Sequence, residues 1–520
     1  MAMTETRPAA EAPTVAAPAD PSGIAGWLTT SDHKRIGRLW IATSLLFLLL
    51  GTVLVALLGV EGTASGLDIF DTGSFTQAVT LANESLVLLF LAPMFLGLAT
   101  FLVPLQVGAA EVAFPRGSAT AYWLYLTSAI VLVASYLADG GPSGGIRDAA
   151  DLWLLAMIGV VLALVVGLVS VLTTALAMRA PGMSFLHTPA FTWSVVVAGS
   201  LLLLSAPVLA ANLIDQYVSH HFGADLGNYQ NEVAWFWSIP TVYLLAVPAA
   251  GVALDIVPVL ARNRVRVHAA GLAVIGLLGV VGIGAWAQVE ASRDDLLYVA
   301  ISLAAVLPAL ALLGLVGDTV RGGKPAPKAA LLFSVGAALL LLLGAAAGAL
   351  LAIDPLELQG TAWVAGQMYL IVLGAGTLGM FGALWWWAPK LWGVQLPEPA
   401  GMLAFLAVFG GALLLAVPQL VNGLANDLPL RAAEFGGDDS IKVLNGISAA
   451  GAVLLVLGAL LVVVTLLGAA RRTGAPVADD PWGGHTLEWA TTSPPPVDNF
   501  SGPLPVVTSA TPLLVEEVRQ

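Results

Sequence analysis

The sequence predicts an all-α, polytopic membrane protein with twelve transmembrane helices, and three observations support this fold class. Hydrophobic residues make up 58% of the 520 residues and charged residues only 10%, whereas about a quarter of a soluble domain is usually charged. The mean hydropathy is +0.89. Apolar stretches close to the ~20 residues that cross a hydrocarbon core recur along the whole chain, and they lack the alternating pattern of a transmembrane β-barrel.

The apolar stretches occupy most of the chain, which is therefore interpreted as a single membrane domain over residues 25–472. Residues 1–24, rich in Ala, Pro and Glu, are predicted to form a disordered cytoplasmic segment, and residues 473–520 an extended cytoplasmic tail. The twelve predicted spans are 37–60, 82–107, 119–137, 152–178, 189–214, 233–258, 268–288, 296–316, 329–352, 362–388, 401–422 and 443–469.

The distribution of basic residues predicts the orientation. If the N-terminus is cytoplasmic, only Arg147, Arg293, Arg431 and Lys442 of the 20 Lys and Arg residues lie on the outer side. The positive-inside rule then favours two cytoplasmic termini in a cell (inner or plasma) membrane. The outer loops are acidic, which reflects this exclusion of basic residues or, alternatively, steers a basic soluble partner such as an electron carrier. The net charge of −13 gives no indication of a nucleic-acid partner, and without cysteine the chain forms no thiolate metal site.

Six stretches occur in a fixed order: SDHKRIGRLW (31–40), LVPLQVGAAEVAFPRGSATAYWL (102–124), MRAPGM (178–183), FTWSVVV (191–197), WWWAPKLWG (385–393) and PWGGHTLEWATTSPPPVDNF (481–500). Together they resemble subunit I of the heme–copper oxidases, the core of cytochrome c oxidase. Each stretch alone is weak, but six in sequence across twelve predicted helices are specific. The resemblance covers about residues 30–502. It implies the oxidase subunit I fold, contact with membrane lipid, and neighbours similar to oxidase subunits II and III.

The resemblance also implies a reaction, the reduction of O2 to water with proton pumping, on two hemes and a copper ion held by six histidines. Imidazole suits these metals. Alignment on Pro93, on Pro240 with Tyr243, on Trp286 with Ala287, and on Pro389 gives the residues at the six ligand positions. They are Ala82, Ile239, Gln288, Val289, Gln367 and Tyr369. Alanine and isoleucine offer no lone pair, and Gln or Tyr oxygens are poor partners for a low-spin heme, although Tyr binds ferric heme in catalases. The sequence therefore predicts that neither heme nor copper is bound.

A count of histidines gives the same prediction without an alignment. The chain contains His33, His187, His220, His221, His268 and His485, none at predicted membrane depth. His220 and His221 are predicted to lie in an outer loop before the sixth span. They are interpreted as a solvated pair, with a metal site in the loop as the alternative.

The resemblance assigns further positions to proton movement and heme contact. Glu111 replaces the aspartate at the mouth of the main proton channel, and Thr241 replaces a proton-carrying glutamate, while Tyr243 is retained. Arg431 is the remaining member of the arginine pair that contacts the heme propionates. Glu84, early in the second predicted span, is a candidate for binding a cation or proton or for pairing with Arg431. The alternative is contact with water at the outer interface.

Polar side chains at membrane depth have a simpler interpretation as well. Tyr243 and Gln367 are predicted to form hydrogen bonds between neighbouring helices. The first functional hypothesis is accordingly a non-catalytic structural or coupling subunit of a respiratory-type membrane complex, with proton or ion conduction as an extension. One alternative is a terminal cytochrome c oxidase subunit that reduces O2. The other is a protein that binds quinone or lipid in the emptied heme cavity.

Overall fold

The computed structural model describes residues 23–63, 69–142, 144–223, 230–288, 295–425, 439–471 and 477–514. The helices within these ranges are α1 (Gly23–Leu28), α2 (His33–Glu61), α3 (Thr72–Glu84), α4 (Ala92–Val107), α5 (Pro115–Leu137), α6 (Arg147–Ala177), α7 (Ala190–Phe222), α8 (Gln230–Leu260), α9 (His268–Gly284), α10 (Leu296–Ala304), α11 (Val306–Arg321), α12 (Ala329–Leu351), α13 (Ala362–Tyr369), α14 (Thr377–Trp392), α15 (Glu398–Leu424) and α16 (Asp439–Ala470).

Eleven helical stretches of the described chain are long and apolar enough to cross a membrane. The remaining predicted span is α9, whose 17 residues are followed by a 3-10 turn over Ala285–Gln288; this length is at the lower limit for a crossing helix. The predicted all-α membrane fold is thus confirmed. In chain order, spans 1 to 12 are α2, α3 with α4, α5, α6, α7, α8, α9, α10 with α11, α12, α13 with α14, α15 and α16.

Spans 2 and 10 form the centre of the bundle, and each contains a π-helical stretch. These stretches are Ser85–Leu91, between α3 and α4, and Leu370–Gly376, between α13 and α14. They touch each other, since a Cβ on Gly376 would lie 2.8 Å from Leu91 Cδ2. Within each span, 94% of the apolar window is buried. Because π-helical turns are rare and frequent at functional sites, the residues just before them are of particular interest.

The second span begins earlier than the sequence predicts. Asp71 accepts a hydrogen bond from the Ser74 backbone N–H and starts α3 at Thr72, in place of residue 82. Hydrophobicity alone missed this start because the first turns are polar, whereas the capping aspartate marks it. Glu84 therefore lies about three turns inside the span, and the prediction that it lies early in the span is wrong. We call the end of the bundle where α3 and α13 begin the distal end, and the end where α2 begins and α4 ends the proximal end.

The histidine pair does not lie in a loop. Helix α7 continues to Phe222, so His220 and His221 occupy its last turn. Their Nδ1 atoms lie 2.7 and 2.6 Å from the two carboxylate oxygens of Asp151 on α6. The prediction of a loop is wrong, because this hydrogen-bonded carboxylate extends the helix beyond its apolar part. The pair is half-exposed and, within the described residues, no group of three His, Cys, Asp or Glu side chains suited to a metal ion is present.

The C-terminal segment 477–514 packs against the proximal end of the bundle. It contains one 3-10 turn, Leu487–Ala490, and its Glu488 side chain is fully buried. Lys390 Nζ donates to the carbonyl oxygen of Thr491 at 2.6 Å, and Lys34 Nζ to that of Val497 at 2.8 Å. The predicted extended tail is therefore held by two buried lysines that begin or end membrane spans. Residues 1–22 lie outside the described chain.

Candidate functional site

Gln367 and Tyr369 lie in the first turns of span 10 and face different neighbours. A separation of two residues turns a helix by about 200°. Gln367 contacts Tyr243 of α8, whereas Tyr369 lines a cleft beside α2 and α3. Their side chains are 1% and 6% exposed. Span 10 therefore separates two regions of the distal half, one on each side.

The first region is a buried network of neutral side chains, which we call the polar network: Tyr243, Gln288, Gln367 and Ser302. The Tyr243 hydroxyl accepts a hydrogen bond from Gln367 Nε2 at 3.1 Å and lies 3.2 and 3.3 Å from the two carboxamide atoms of Gln288. Gln288 Nε2 also donates to Ser302 Oγ at 2.9 Å. The network links spans 6, 7, 8 and 10. It confirms the prediction that Tyr243 and Gln367 form hydrogen bonds between helices.

Gly348 on α12 makes room for this network. A Cβ at this position would lie 1.9 Å from the Tyr243 hydroxyl oxygen and 3.0 Å from Gln288 Oε1. No side chain fits in that distance, so the interior here is fully packed. One acceptor is left over, since Gln367 Oε1 has no hydrogen-bond partner in the described part of the chain.

The second region is an open cleft of about 270 Å³ at the distal end, which we call the distal cleft. Ala82 and Tyr369 both line it. Tyr369 and Asn83 make no side-chain hydrogen bond to another described residue. None of the described side chains in this lining is charged. The lining consists of Val55, Leu58, Val79, Ala82, Asn83, Gly360, Thr361, Val364, Ala365, Met368 and Tyr369.

The six positions that the resemblance assigns to metal ligands thus separate into groups. Gln288 and Gln367 meet in the polar network, and Ala82 and Tyr369 meet in the distal cleft. The Ile239 side chain and Val289 lie outside the described part of the chain, as does Arg431. Sequence reasoning missed Ser302 and Gly348. Neither carried a signal, since each is a small residue within an apolar stretch.

Glu84 is fixed by neutral hydrogen-bond donors of two neighbouring spans. Its Oε2 accepts from the Tyr136 hydroxyl at 3.0 Å, and its Oε1 accepts from Trp153 Nε1 at 3.2 Å. These partners belong to α5 and α6, so the carboxylate is held between spans 2, 3 and 4. Its pairing with Arg431 falls outside the described residues. Its role in moving an ion stays a prediction.

The other candidates for an ion path lie far from Glu84. Glu111 is exposed at the proximal end and lines a surface cleft with Asp32 and Asp498. Thr241 is buried, its Oγ1 has no hydrogen-bond partner among the described residues, and it lines an apolar cleft together with Phe95. Only Tyr243 belongs to the polar network. The candidate path residues therefore occupy separate places in the fold.

Comparison with known proteins gives a consistent result over nearly the whole chain. Residues 35–454 match the family model described as cytochrome c and quinol oxidase polypeptide I. The chain is 32% identical to a putative cytochrome c oxidase subunit 1-beta of Streptomyces avermitilis, over 94% of this chain and 91% of that protein. It is 29% identical to cytochrome c oxidase subunit 1 of Thermostichus vulcanus, over 92% and 90% of the two chains. It is 31% identical to the heme-copper oxidase subunit I+III of Aeropyrum pernix, over 92% of this chain and 62% of that one. The all-helical membrane fold and these matches together place the chain in the cytochrome c and quinol oxidase polypeptide I family, that of heme–copper oxidase subunit I.

Proposed function

We propose that this chain is a cofactor-free, non-catalytic subunit that serves a structural or coupling role in a respiratory-type membrane complex. The observation that carries the proposal is the polar network. Two positions that the resemblance assigns to histidine ligands hold Gln288 and Gln367, and both carboxamides contact the hydroxyl of Tyr243. These groups hydrogen-bond one another in a space that Gly348 just accommodates.

The available donor atoms do not fit the family's two hemes and copper. The polar network offers carboxamides, a phenol and a hydroxyl, and the distal cleft offers the Ala82 methyl group opposite the Tyr369 phenol. An imidazole pair for a low-spin iron is lacking in both regions. The six histidines of the chain lie in loops or in the first or last turn of a helix. No catalytic step through heme or copper is therefore derived for this chain.

Family membership implies a membrane complex with other oxidase subunits, and a subunit III-like neighbour is proposed from the fused subunit I+III relative. A subunit II-like neighbour, a basic soluble electron carrier at the acidic face, and membrane lipid complete the proposed surroundings. The proximal end is proposed to face the cytoplasm, because it carries most of the Lys and Arg residues.

Proton or ion conduction between Glu84 and Glu111 is an extension of this proposal. Proton flux into liposomes containing the purified protein, compared with a Glu84→Gln variant, tests it.

The names of the relatives favour a second function, that of a terminal oxidase subunit. A single experiment separates the two. The complex is purified from its native membrane, its subunits are resolved, and heme is measured as the pyridine hemochrome and copper by mass spectrometry. The proposal expects neither heme nor copper in this subunit and no Soret absorption. Stoichiometric heme with a bis-histidine spectrum contradicts it and restores the oxidase assignment.

A further inference from the structure

We propose that an open pocket at the proximal end of the bundle binds a phosphate group, carried either by a lipid of the adjoining leaflet or by a soluble phosphate ester. We call it the basic pocket. It lies where span 6 ends and the C-terminal segment packs against the bundle. Its residues belong to neither the polar network nor the distal cleft, so the inference does not depend on whether the chain binds heme.

Basic side chains from two segments line the basic pocket. Arg262 and Arg264 belong to the connection between α8 and α9, and His485 belongs to the C-terminal segment. The pocket has a volume of about 620 Å³, and none of its described lining side chains is acidic. Because arginine forms paired hydrogen bonds with phosphate oxygens, two arginines beside one open space favour this anion over others.

The positive charge of the pocket acts on His485. Burial lowers the pKa of His485 below its usual value of 6.5, and the charge of Arg264 lowers it further, while Asp480 acts in the opposite direction. The Asp480 carboxylate already accepts hydrogen bonds from the backbone N–H groups of Trp482 and Gly484. Arg264 and the imidazole are therefore close enough to oppose each other's charge, and an anion in the pocket would interact favourably with both.

The backbone holds Arg262 in a conformation that glycine usually adopts. Helix α8 ends in a Schellman motif, in which the Arg262 N–H bonds to the Val259 carbonyl oxygen and the Asn263 N–H to that of Pro258. Arg262 is the left-handed residue of this motif, with a φ of 51°. A side chain is strained in this conformation, whereas glycine is not. A charged residue kept under strain beside an open pocket indicates a binding role.

Contacts with neighbouring segments fix both walls of the pocket. Asn263 Nδ2 donates to the Thr319 carbonyl oxygen at 2.9 Å, which fastens the connection after α8 to α11. On the opposite wall, the Trp482 ring stacks on that of Trp386 with 5.5 Å between centroids, and Trp482 Nε1 donates to the Trp386 carbonyl oxygen at 2.9 Å. The backbone that carries the basic side chains is thus positioned before any ligand arrives, which lowers the entropic cost of binding.

The lining is compatible with both sources of phosphate. Pro258, Val259 and Leu514 give the pocket an apolar side next to its basic side, which suits a lipid. Basic pockets between membrane helices bind anionic lipid headgroups in other proteins. Arg262 and Arg264 are exposed, so a soluble phosphate ester also has access. The experiment distinguishes the two sources.

Three variants separate binding from folding. Arg262→Gly removes one guanidinium and introduces the residue that the left-handed position favours, so it should weaken binding without lowering the unfolding midpoint. Arg264→Gln removes the second guanidinium. Arg266→Gln is the matched control, because Arg266 is exposed in the same connection, lies outside the pocket lining, and places its Nε 3.1 Å from Asp318 Oδ2.

Two measurements on the full-length protein in detergent give the binding. Equilibrium dialysis at low ionic strength measures the affinity for inorganic phosphate, and native mass spectrometry compares the retention of phosphatidylglycerol and phosphatidylcholine. We expect saturable binding of inorganic phosphate, of phosphatidylglycerol in preference to phosphatidylcholine, or of both. Phosphatidylglycerol alone assigns the lipid source, and inorganic phosphate alone the soluble source. The affinity should fall about 10-fold in Arg262→Gly and in Arg264→Gln, and change less than about twofold in Arg266→Gln.

Four outcomes overturn the inference. Neither anionic probe binds saturably, or Arg266→Gln weakens binding as much as Arg264→Gln, which would show a general effect of charge. Arg262→Gly lowers the unfolding midpoint and leaves binding unchanged, which would give Arg262 a role only in ending the helix. Binding appears only after removal of residues 515–520, which include Glu516 and Glu517, and this would assign the pocket to the end of the chain itself. Heme in the purified protein would contradict the proposed function and leave this inference in place.

Discussion

The two sides of span 10 have opposite packing, although Gln367 and Tyr369 are only two residues apart. On one side, Gln367 joins a network in which even a methyl group on Gly348 would collide with Tyr243. On the other side, Tyr369 and Ala82 border an open cleft of about 270 Å³. Long side chains that hydrogen-bond one another fill the interior on the first side, whereas the small side chain of Ala82 leaves space beside Tyr369 on the second.

Enlarging one side chain on each side of span 10 should give the largest difference in stability. Gly348→Ala should lower the free energy of unfolding by about 1–3 kcal/mol, because its Cβ would lie 1.9 Å from the Tyr243 oxygen. Ala82→Val should change it by less than about 0.5 kcal/mol, since the distal cleft accepts the added methyl groups. Thermal unfolding followed by circular dichroism in detergent measures both. Equal stability of the two variants would show that the network side is not closely packed.

Removing one hydroxyl group from each side of span 10 should give the next largest difference in stability. Tyr243→Phe should cost about 1–2 kcal/mol, because Gln288 and Gln367 each lose a hydrogen-bond partner in a buried region. Tyr369→Phe should leave the stability of the ligand-free protein unchanged, because its hydroxyl has no partner among the described residues. The same unfolding measurement checks both variants. A destabilised Tyr369→Phe protein would place that hydroxyl in a structural role.

A smaller difference is expected within the polar network itself. Gln367→Leu loses one hydrogen bond, and it also removes the unpartnered acceptor Oε1, so the net change should be below about 1 kcal/mol. Gln288→Leu should cost more, because Gln288 contacts both Tyr243 and Ser302. The order of the two unfolding midpoints tests this. The reverse order would mean that Gln367 Oε1 is satisfied by a bound molecule.

The smallest expected effect is a pH dependence in the packing of the C-terminal segment, which the membrane interior should not share. Burial raises the pKa of Glu488 above its usual value of 4.5, an effect only partly offset by hydrogen bonds from Thr486, Gln106 Nε2 and Trp387 Nε1. A carboxyl group with a raised pKa favours its protonated form in the packed state. The segment should therefore be held less tightly as the pH rises above about 4.5. Limited proteolysis of residues 477–514 across pH measures this, and Glu488→Gln should remove the dependence.

If the pH dependence of proteolysis persists in Glu488→Gln, another titratable group causes it. Among the described residues, the polar network and the lining of the distal cleft contain no carboxylate, lysine, arginine or histidine, so neither region should contribute to this pH dependence.

Much of the fold was predictable because hydrophobic length is a local property. The second span shows the limit, since its polar first turns obscured a start that Asp71 defines by capping. Helix α7 shows a second limit, because its last turn depends on Asp151, a residue of another span. The hydrogen bonds of Tyr243 and Gln367 between helices were predictable, because a polar group in lipid requires a partner. Their partner atoms were not predictable.

The sequence by itself determined the membrane class, the family, and the residue types at the six ligand positions. These depend on composition, hydrophobic length and order along the chain, which need no contacts. Only the tertiary structure decided that Gln288 and Gln367 meet at one hydroxyl while Ala82 and Tyr369 border open space. The physical reason is that packing and hydrogen-bond partners arise between distant helices, where a glycine such as Gly348 sets the available distance.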